Sequence, residues 1–288
     1  MASTAVIPLI RGKLPVARFV IPYRVYGEGE YTLVFINGIH QSMAMWHSFV
    51  RRFGQSYRIV LFDFPNQGSS RIIAGSSTVT LDEQVEILAA LIQATSGASR
   101  PTICSASWGG VVALAYAVRH PHGLRSLILA SIGMRANQKM IELITKGLSN
   151  PNQDRSEVAE TLIECVGQAL PVAMKNRIIG QFQRMSSEAL QAFCQHGLSV
   201  ITVRDLREVV DVGKVRCETI LLHGENDTII DLEDVRSLAA QVPRGEIRTI
   251  KDVGHFLHLE KEELLDVYDD ILASLRSKIG RGDEQSDS

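Results

Sequence analysis

The stretch Thr102-Ile103-Cys104-Ser105-Ala106-Ser107-Trp108-Gly109-Gly110-Val111-Val112 decides the fold. Thr102 to Ser105 reads as a short buried strand, and Val111 to Arg119 reads as a helix. Between them a serine stands where strand must turn sharply into helix, a turn that holds its residue in strained backbone geometry. The small residues two positions to either side, Ser105 and Gly109, let strand and helix approach closely around it. That context marks Ser107 as a candidate nucleophile; the alternative is a glycine-rich helix start with Ser107 as an ordinary N-cap.

Working outward, the same alternation repeats. Thr32 to Ile36 and Arg58 to Phe62 read as buried strands, and Met45 to Phe53 and Asp82 to Thr95 carry apolar residues at helical spacing. Asp82 suits a first turn, where an acid meets the positive end of the helix dipole. Ser126 to Ser131 is another buried strand. Strands alternating with helix-length segments predict a mostly parallel sheet covered by helices on both faces. From about Gly133 to Val212 the periodicity is helical, with breakers at Gly147 to Asn152 and near Pro171. The α/β pattern resumes with a strand at Glu218 to His223, a helix from Leu232 to Gln241, a strand at Glu246 to Ile250 and a helix from Lys261 to Arg276. The expected organisation is a sheet core of residues 1–132 and 213–277, an all-helical cap inserted at 133–212, and a disordered polar tail at 278–288. Pro8, Pro15 and Pro22 favour edge strands and turns before Thr32.

Composition sets the bounds. With 288 residues, 45% apolar and 22% charged, the protein is neither disordered nor collagen-like and can bury a sizeable core. Lys and Arg number 30 against 32 Asp and Glu, so no broad cationic field exists for a nucleic acid backbone. Cys104, Cys165, Cys194 and Cys217 lie far apart, which argues for reduced thiols rather than a zinc site or disulfide framework. No apolar run is long enough to span a membrane, and Arg11 and Lys13 interrupt the one candidate signal-peptide core, so the expected location is cytoplasmic. No metal-binding, P-loop or dinucleotide motif occurs, and the reaction should need neither cofactor nor metal.

A serine hydroxyl needs a base to take its proton and an acid to orient that base. His255 follows the last strand directly, and Gly254 lets its loop turn; His258 is the rival base. His40 and His47 fall near the loop after the first of the two upstream strands, while His120, His122, His196 and His223 suit contacts in helix ends, cap or core. Asp227 follows the strand ending at His223, with Glu225 and Asp231 as rivals. In sequence order Ser107, Asp227 and His255 run as such triads do in this architecture. A tetrahedral oxyanion needs two preorganised donors. The Trp108 N–H, directly after the serine, and the Ile39 N–H, in the loop after Ile36, are the candidates, with Asn37, Gly38 and His40 lining the substrate pocket. Asp63 to Ser69 reads as a structural turn near the crevice.

Several of these segments also resemble a known family. Asn37-Gly38, Val60 to Asp63, the helix from Asp82 to Ile92, Ser105 to Gly110 with its Trp, Asn137 to Met140, Val166 to Pro171 and Gly254 to Leu257 together resemble one branch of the α/β-hydrolase fold. That branch is the 3-(3-hydroxyalkanoyloxy)alkanoic acid synthases, the acyltransferases that make the lipid part of rhamnolipids, with the 3-hydroxyacyl-ACP:CoA transacylases as a sister family. The resemblance spans about residues 20 to 275, cap included. It implies joining of two 3-hydroxyacyl chains, delivered as ACP or CoA thioesters, into a 3-(3-hydroxyalkanoyloxy)alkanoic acid, a precursor of rhamnolipid-type biosurfactants. Glu225 to Ile229 departs from the pattern by lacking an aromatic after the acid. The implied chemistry requires an apolar cap that excludes water, a surface that Ile141, Leu143, Ile144, Leu148, Leu162, Ile163, Leu170, Ile178 and Phe182 would supply. Lys175, Arg177 and Arg184 are candidate contacts for an acidic carrier protein. The competing readings are a thioesterase or carboxylesterase with the same triad, and a non-catalytic ligand-binding member of the fold.

Overall fold

The computed structural model describes residues 8–39, 41–97, 99–135, 138, 141–142, 145, 154–187, 190, 193–194, 197–198 and 203–283. Among these residues nine strands form one sheet: β1 (Ile10–Val16), β2 (Phe19–Tyr26), β3 (Thr32–Ile36), β4 (Arg58–Phe62), β5 (Arg71–Ile72), β6 (Thr102–Ala106), β7 (Ser126–Ala130), β8 (Glu218–Gly224) and β9 (Gly245–Ile250). Their spatial order is β1-β2-β4-β3-β6-β7-β8-β9, with β5 paired to β2. β3, β4, β6, β7, β8 and β9 pair in parallel, whereas β1, β2 and β5 join antiparallel.

Alternate residues of the central strands feed two cores. Val34, Ile36, Val60, Phe62, Leu127 and Leu129 face one layer. Leu33, Phe35, Ile59, Leu61, Ile128 and Ala130 face the other. The first layer is covered by α2 (Leu81–Ser96), α3 (Trp108–Arg119) and α6 (Leu232–Gln241), the second by α1 (His47–Phe53) and α8 (Leu264–Asp283). A sheet buried on both faces explains strands that read as continuous apolar runs. Helix α2 begins one residue before Asp82, at a reciprocal capping box in which Thr80 and Glu83 each bind the other's backbone N–H.

The proline-rich start forms the β1–β2 hairpin on the outer edge of the sheet. Pro22 lies inside β2, where the pairing with β4 starts only at Tyr23 and that with β5 covers Phe19 and Val20. It therefore sits in the gap between the two neighbours, where a missing N–H removes no ladder bond on that side. Between β7 and β8 the described elements are α4 (Arg155–Val166), α5 (Val172–Gln183) and two short 3-10 turns at Leu206–Glu208 and Val212–Lys214. Val158, Ala159, Phe182, Leu190 and Cys194 form a separate small core there, with Leu162 and Ile178 packed against it.

The tail departs from expectation. Helix α8 runs through Asp283, so residues 278–283 are helical where disorder is predicted, while 284–288 lie outside the described residues. No proline stops the helix, and Lys278 is tied to Glu218 at 3.6 Å and Glu246 at 3.5 Å. A short helix, α7 (Leu257–Glu260), precedes α8.

Candidate active site

The backbone runs from β3 to β4 on one side and later crosses to β6 on the other, which places a topological switch point between β3 and β6. Open α/β sheets bind ligands outside the carboxyl ends of the strands at such a point. Ser107 directly follows β6 there, with φ 50° and ψ −125°. A non-glycine residue at positive φ is uncommon and costs roughly 1–3 kcal/mol, sustained only by surrounding structure. The surroundings are tight. Ser107 N donates to Ala130 O at 2.8 Å, and a Cβ at Gly109 would stand 2.6 Å from Asn37 O. The Ser107 hydroxyl does not cap α3, which removes the N-cap alternative.

Instead it faces a histidine. His255 Nε2 lies 3.3 Å from Ser107 Oγ, and His255 Nδ1 lies 3.0 Å from Asp227 Oδ2 and 3.2 Å from Oδ1. The Asp227 side chain is fully buried. Burial alone would raise its pKa, but His255 and the N–H groups of Ile229 (2.8 Å) and Ile230 (3.1 Å) stabilise the carboxylate and bring the net shift below the usual range. Asp227 follows β8, and His255 lies on the loop after β9, so three separate strand ends converge. The loop carrying His255 is fixed on both sides. Ser131 Oγ donates to the His255 carbonyl at 2.6 Å, while the Glu260 carboxylate accepts from the N–H groups of Gly254 and, at 3.1 Å, Phe256.

The rival residues are placed elsewhere. His258 is buried and stacked on Trp46 with ring centroids 4.8 Å apart, and neither of its ring nitrogens meets a hydrogen-bond partner among the described residues. Glu225 and Asp231 are exposed, and Asp231 precedes α6. Burial lowers the pKa of His223, which lies within β8, one residue before the strand ends at Gly224. His120 stacks on Tyr116.

The loop after β3 lies against the serine: a Cβ at Gly38 would stand 3.2 Å from Ser107 Cβ. This brings the Gly38-Ile39 peptide region beside the first turn of α3, whose leading N–H groups lack intrahelical acceptors. Ile39 is half-buried, Gly38 is buried, and His40 lies outside the described residues. Asn37, expected in the pocket lining, is only 2% exposed and its side chain is engaged inward. Its Nδ2 donates to Asp63 Oδ1 at 2.9 Å, and its Oδ1 accepts from Trp46 Nε1 at 2.9 Å. Asp63 Oδ1 also accepts from Met43 N at 2.6 Å, and Gln67 Nε2 donates to Gly38 O at 2.7 Å. Sequence reading missed this role for Asp63 and Gln67, because most of their partners lie twenty or more residues away and no local pattern signals the pairing. Burial raises the Asp63 pKa, opposed by its bonds to Met43 and Asn37.

Above the site, Thr228 Oγ1 donates to Cys165 O at 2.8 Å, tying the loop of Asp227 to the end of α4. Ile163 and Leu170 are buried, and Lys175 Nζ donates to Gln168 O. Arg177 and Arg184 are exposed, and Leu143, Ile144, Leu148 and His196 lie outside the described residues. Among the described residues no three His, Cys, Asp or Glu side chains converge as metal ligands would. No described helix is long and apolar enough to cross a membrane.

A serine on a strained strand-to-helix turn, a histidine beside it and a buried carboxylate behind define a class of architecture. The protein belongs to the alpha/beta hydrolase fold family, whose model matches residues 31–262. Among curated relatives it is similar to the (R)-3-hydroxydecanoyl-ACP:CoA transacylase of Ectopseudomonas oleovorans, 24% identical over 249 residues, 83% of each protein. The protein of the same name from Pseudomonas aeruginosa is 23% identical over 263 residues, 88% of this sequence and 87% of that one. Among solved structures, a bacterial membrane phospholipase A superposes with a TM-score of 0.77 at 22% identity, covering 93% of this protein and 86% of that one. A thermophilic esterase from Thermogutta terrifontis gives 0.73 at 19% identity, over 92% and 99%.

Proposed function

We propose that this protein is a serine-dependent acyltransferase acting on 3-hydroxyacyl thioesters carried by ACP or CoA. The observation that carries this reading is the aligned relay from Ser107 Oγ through His255 to Asp227. The names of the transacylase relatives support the choice of acyl group and carrier.

Ser107 Oγ attacks the thioester carbonyl while His255 Nε2 takes its proton. The tetrahedral oxyanion is met by the N–H groups of Trp108 and Ile39. The imidazolium then gives its proton to the departing thiol, and Asp227 stabilises the charged ring and holds its tautomer. In the second half, His255 takes a proton from the 3-hydroxyl of a second 3-hydroxyacyl group, whose oxygen attacks the acyl-serine; the bond from the acyl carbon to Ser107 Oγ breaks, and His255 returns the proton to that oxygen. The product carries a 3-(3-hydroxyalkanoyloxy)alkanoyl unit, and hydrolysis of its remaining thioester gives the acid, a rhamnolipid-type lipid precursor. The helical region between β7 and β8 acts as the cap that keeps water from the acyl-serine, and Lys175, Arg177 and Arg184 are its contacts for an acidic carrier. A cytoplasmic location accords with these carriers. The relatives' name favours one second reading, in which the CoA thiol takes the acyl group from an ACP thioester.

Incubation of the purified protein with 3-hydroxydecanoyl thioesters, followed by mass spectrometry, tests the proposal. A dimeric ester is expected; 3-hydroxydecanoyl-CoA formed from the ACP thioester and CoA supports the second reading. Free 3-hydroxy acid alone would make the protein a thioesterase, and unchanged substrate would overturn the proposal. Ser107→Ala is expected to abolish turnover with the fold retained, as read by circular dichroism.

A further inference from the structure

At the opposite end of the sheet from Ser107, a cleft of about 580 Å³ gathers Arg100, Arg125, Arg216, Arg244 and Lys278 around a single acidic residue, Glu218. Each arginine stands at or just before the start of a strand: Arg100 before β6, Arg125 before β7, Arg216 before β8 and Arg244 before β9. A five-residue strand such as β6 spans roughly 17 Å, so this cleft is separate from the serine site. Its volume lies in the range of small-molecule sites.

The cluster is built rather than scattered. The Glu218 carboxylate is shared by Arg244 Nη1 and Lys278 Nζ, each at 3.6 Å. The Arg125 guanidinium lies 4.7 Å above the Tyr31 ring, which Arg276 also approaches at 5.7 Å. Arg100 and Arg216 are exposed and make no ion pair among the described residues. Buried Leu124 and Val215 form an apolar floor.

In a protein of net charge −2, five cations line this cleft against Glu218, with Glu246 reaching Lys278 from beside it at 3.5 Å, and this is a local excess that the overall charge conceals. Cations gathered in one cleft focus a positive potential that draws an anion toward it. Guanidinium forks match phosphate oxygens in pairs, and Lys278 adds a point charge. The apolar floor suits an uncharged ring attached to those phosphates. We propose that this cleft is a second ligand site, for a nucleotide-sized organic polyphosphate. Nothing in this assignment depends on the chemistry at Ser107.

The test is isothermal titration calorimetry of the full-length protein at low ionic strength. ADP and coenzyme A, used as separate probes, distinguish a free nucleotide from the nucleotide end of a thioester carrier, and saturable binding of either that is weakened by substitution within the cleft supports the site. Affinity should fall with added salt. The exposed double substitution Arg100→Ser and Arg216→Ser should weaken binding about ten-fold or more, with an unchanged melting temperature as the check on folding. Absence of saturable binding by both probes into the millimolar range, or equal affinity in the double variant, overturns the assignment.

Discussion

Glu260 is the residue on which the position of His255 turns. Its two carboxylate oxygens accept from the N–H groups on either side of that histidine, Gly254 and Phe256, while Ser131 Oγ holds the histidine's own carbonyl. The imidazole thus stands on a loop whose neighbouring backbone is held at these three points, as a proton-transfer group within hydrogen-bond reach of its partner requires. Glutamine keeps one acceptor oxygen and alanine keeps none. Under the proposed mechanism, Glu260→Ala should lower kcat by roughly 10- to 100-fold, the scale of a misplacement near 1 Å. Glu260→Gln should fall between Ala and the native protein, with KM little changed in both. Steady-state kinetics on a 3-hydroxyacyl thioester read this directly; a native kcat in Glu260→Ala would remove Glu260 from the positioning of His255.

At the scale of elements, legibility in the sequence follows the range of the interactions. Strand β6, the turn at Ser107 and helix α3 are readable from one short stretch, because a buried apolar run, a small-residue bracket and a helical period lie side by side. Asp227 and His255 are readable too, since each falls directly after a strand in an expected order. The inward pairing of Asn37 with Asp63 and Trp46 is not, as it joins two side chains of the β3–α1 connection to one from the loop after β4 across the end of the sheet. The bond from Thr228 to the Cys165 carbonyl is equally hidden, spanning 63 positions. It satisfies one of the last carbonyls of α4, which have no intrahelical donor, and couples that helix to the acid loop. Thr228→Val keeps the shape and removes the donor. It should lower stability by about 1 kcal/mol and, under the proposed function, raise the share of acyl-enzyme lost to water, as read by the ratio of free 3-hydroxy acid to ester among the products.

For the whole molecule, stability against acid depends on histidines whose pKa burial lowers. His258 lies in the layer of α1 and α8, against Trp46 and Phe256, with His255 as its titratable neighbour. Burial first, and then the His255 charge, push its pKa from 6.5 down to about 3. Below pH 6.5 the unfolded protein takes up a proton that the folded protein refuses, so stability falls as pH falls until the folded imidazole itself titrates. One such site removes about 1.4 kcal/mol per pH unit, hence about 2 kcal/mol between neutral pH and pH 5. His223 and His47, also lowered by burial, act in the same direction. The depressed carboxylate of Asp227 adds its loss only at lower pH, as its own folded value is approached. The His258 share is isolated by His258→Phe, which retains an aromatic ring for Trp46 and cannot titrate. Urea unfolding at pH 7 and pH 5 should show the native protein losing about 2 kcal/mol more than this variant. Because the quantity read is a difference in pH dependence, it survives any constant cost of fitting the phenyl ring, and equal losses in the two proteins would mean that His258 is protonated within the fold at pH 5.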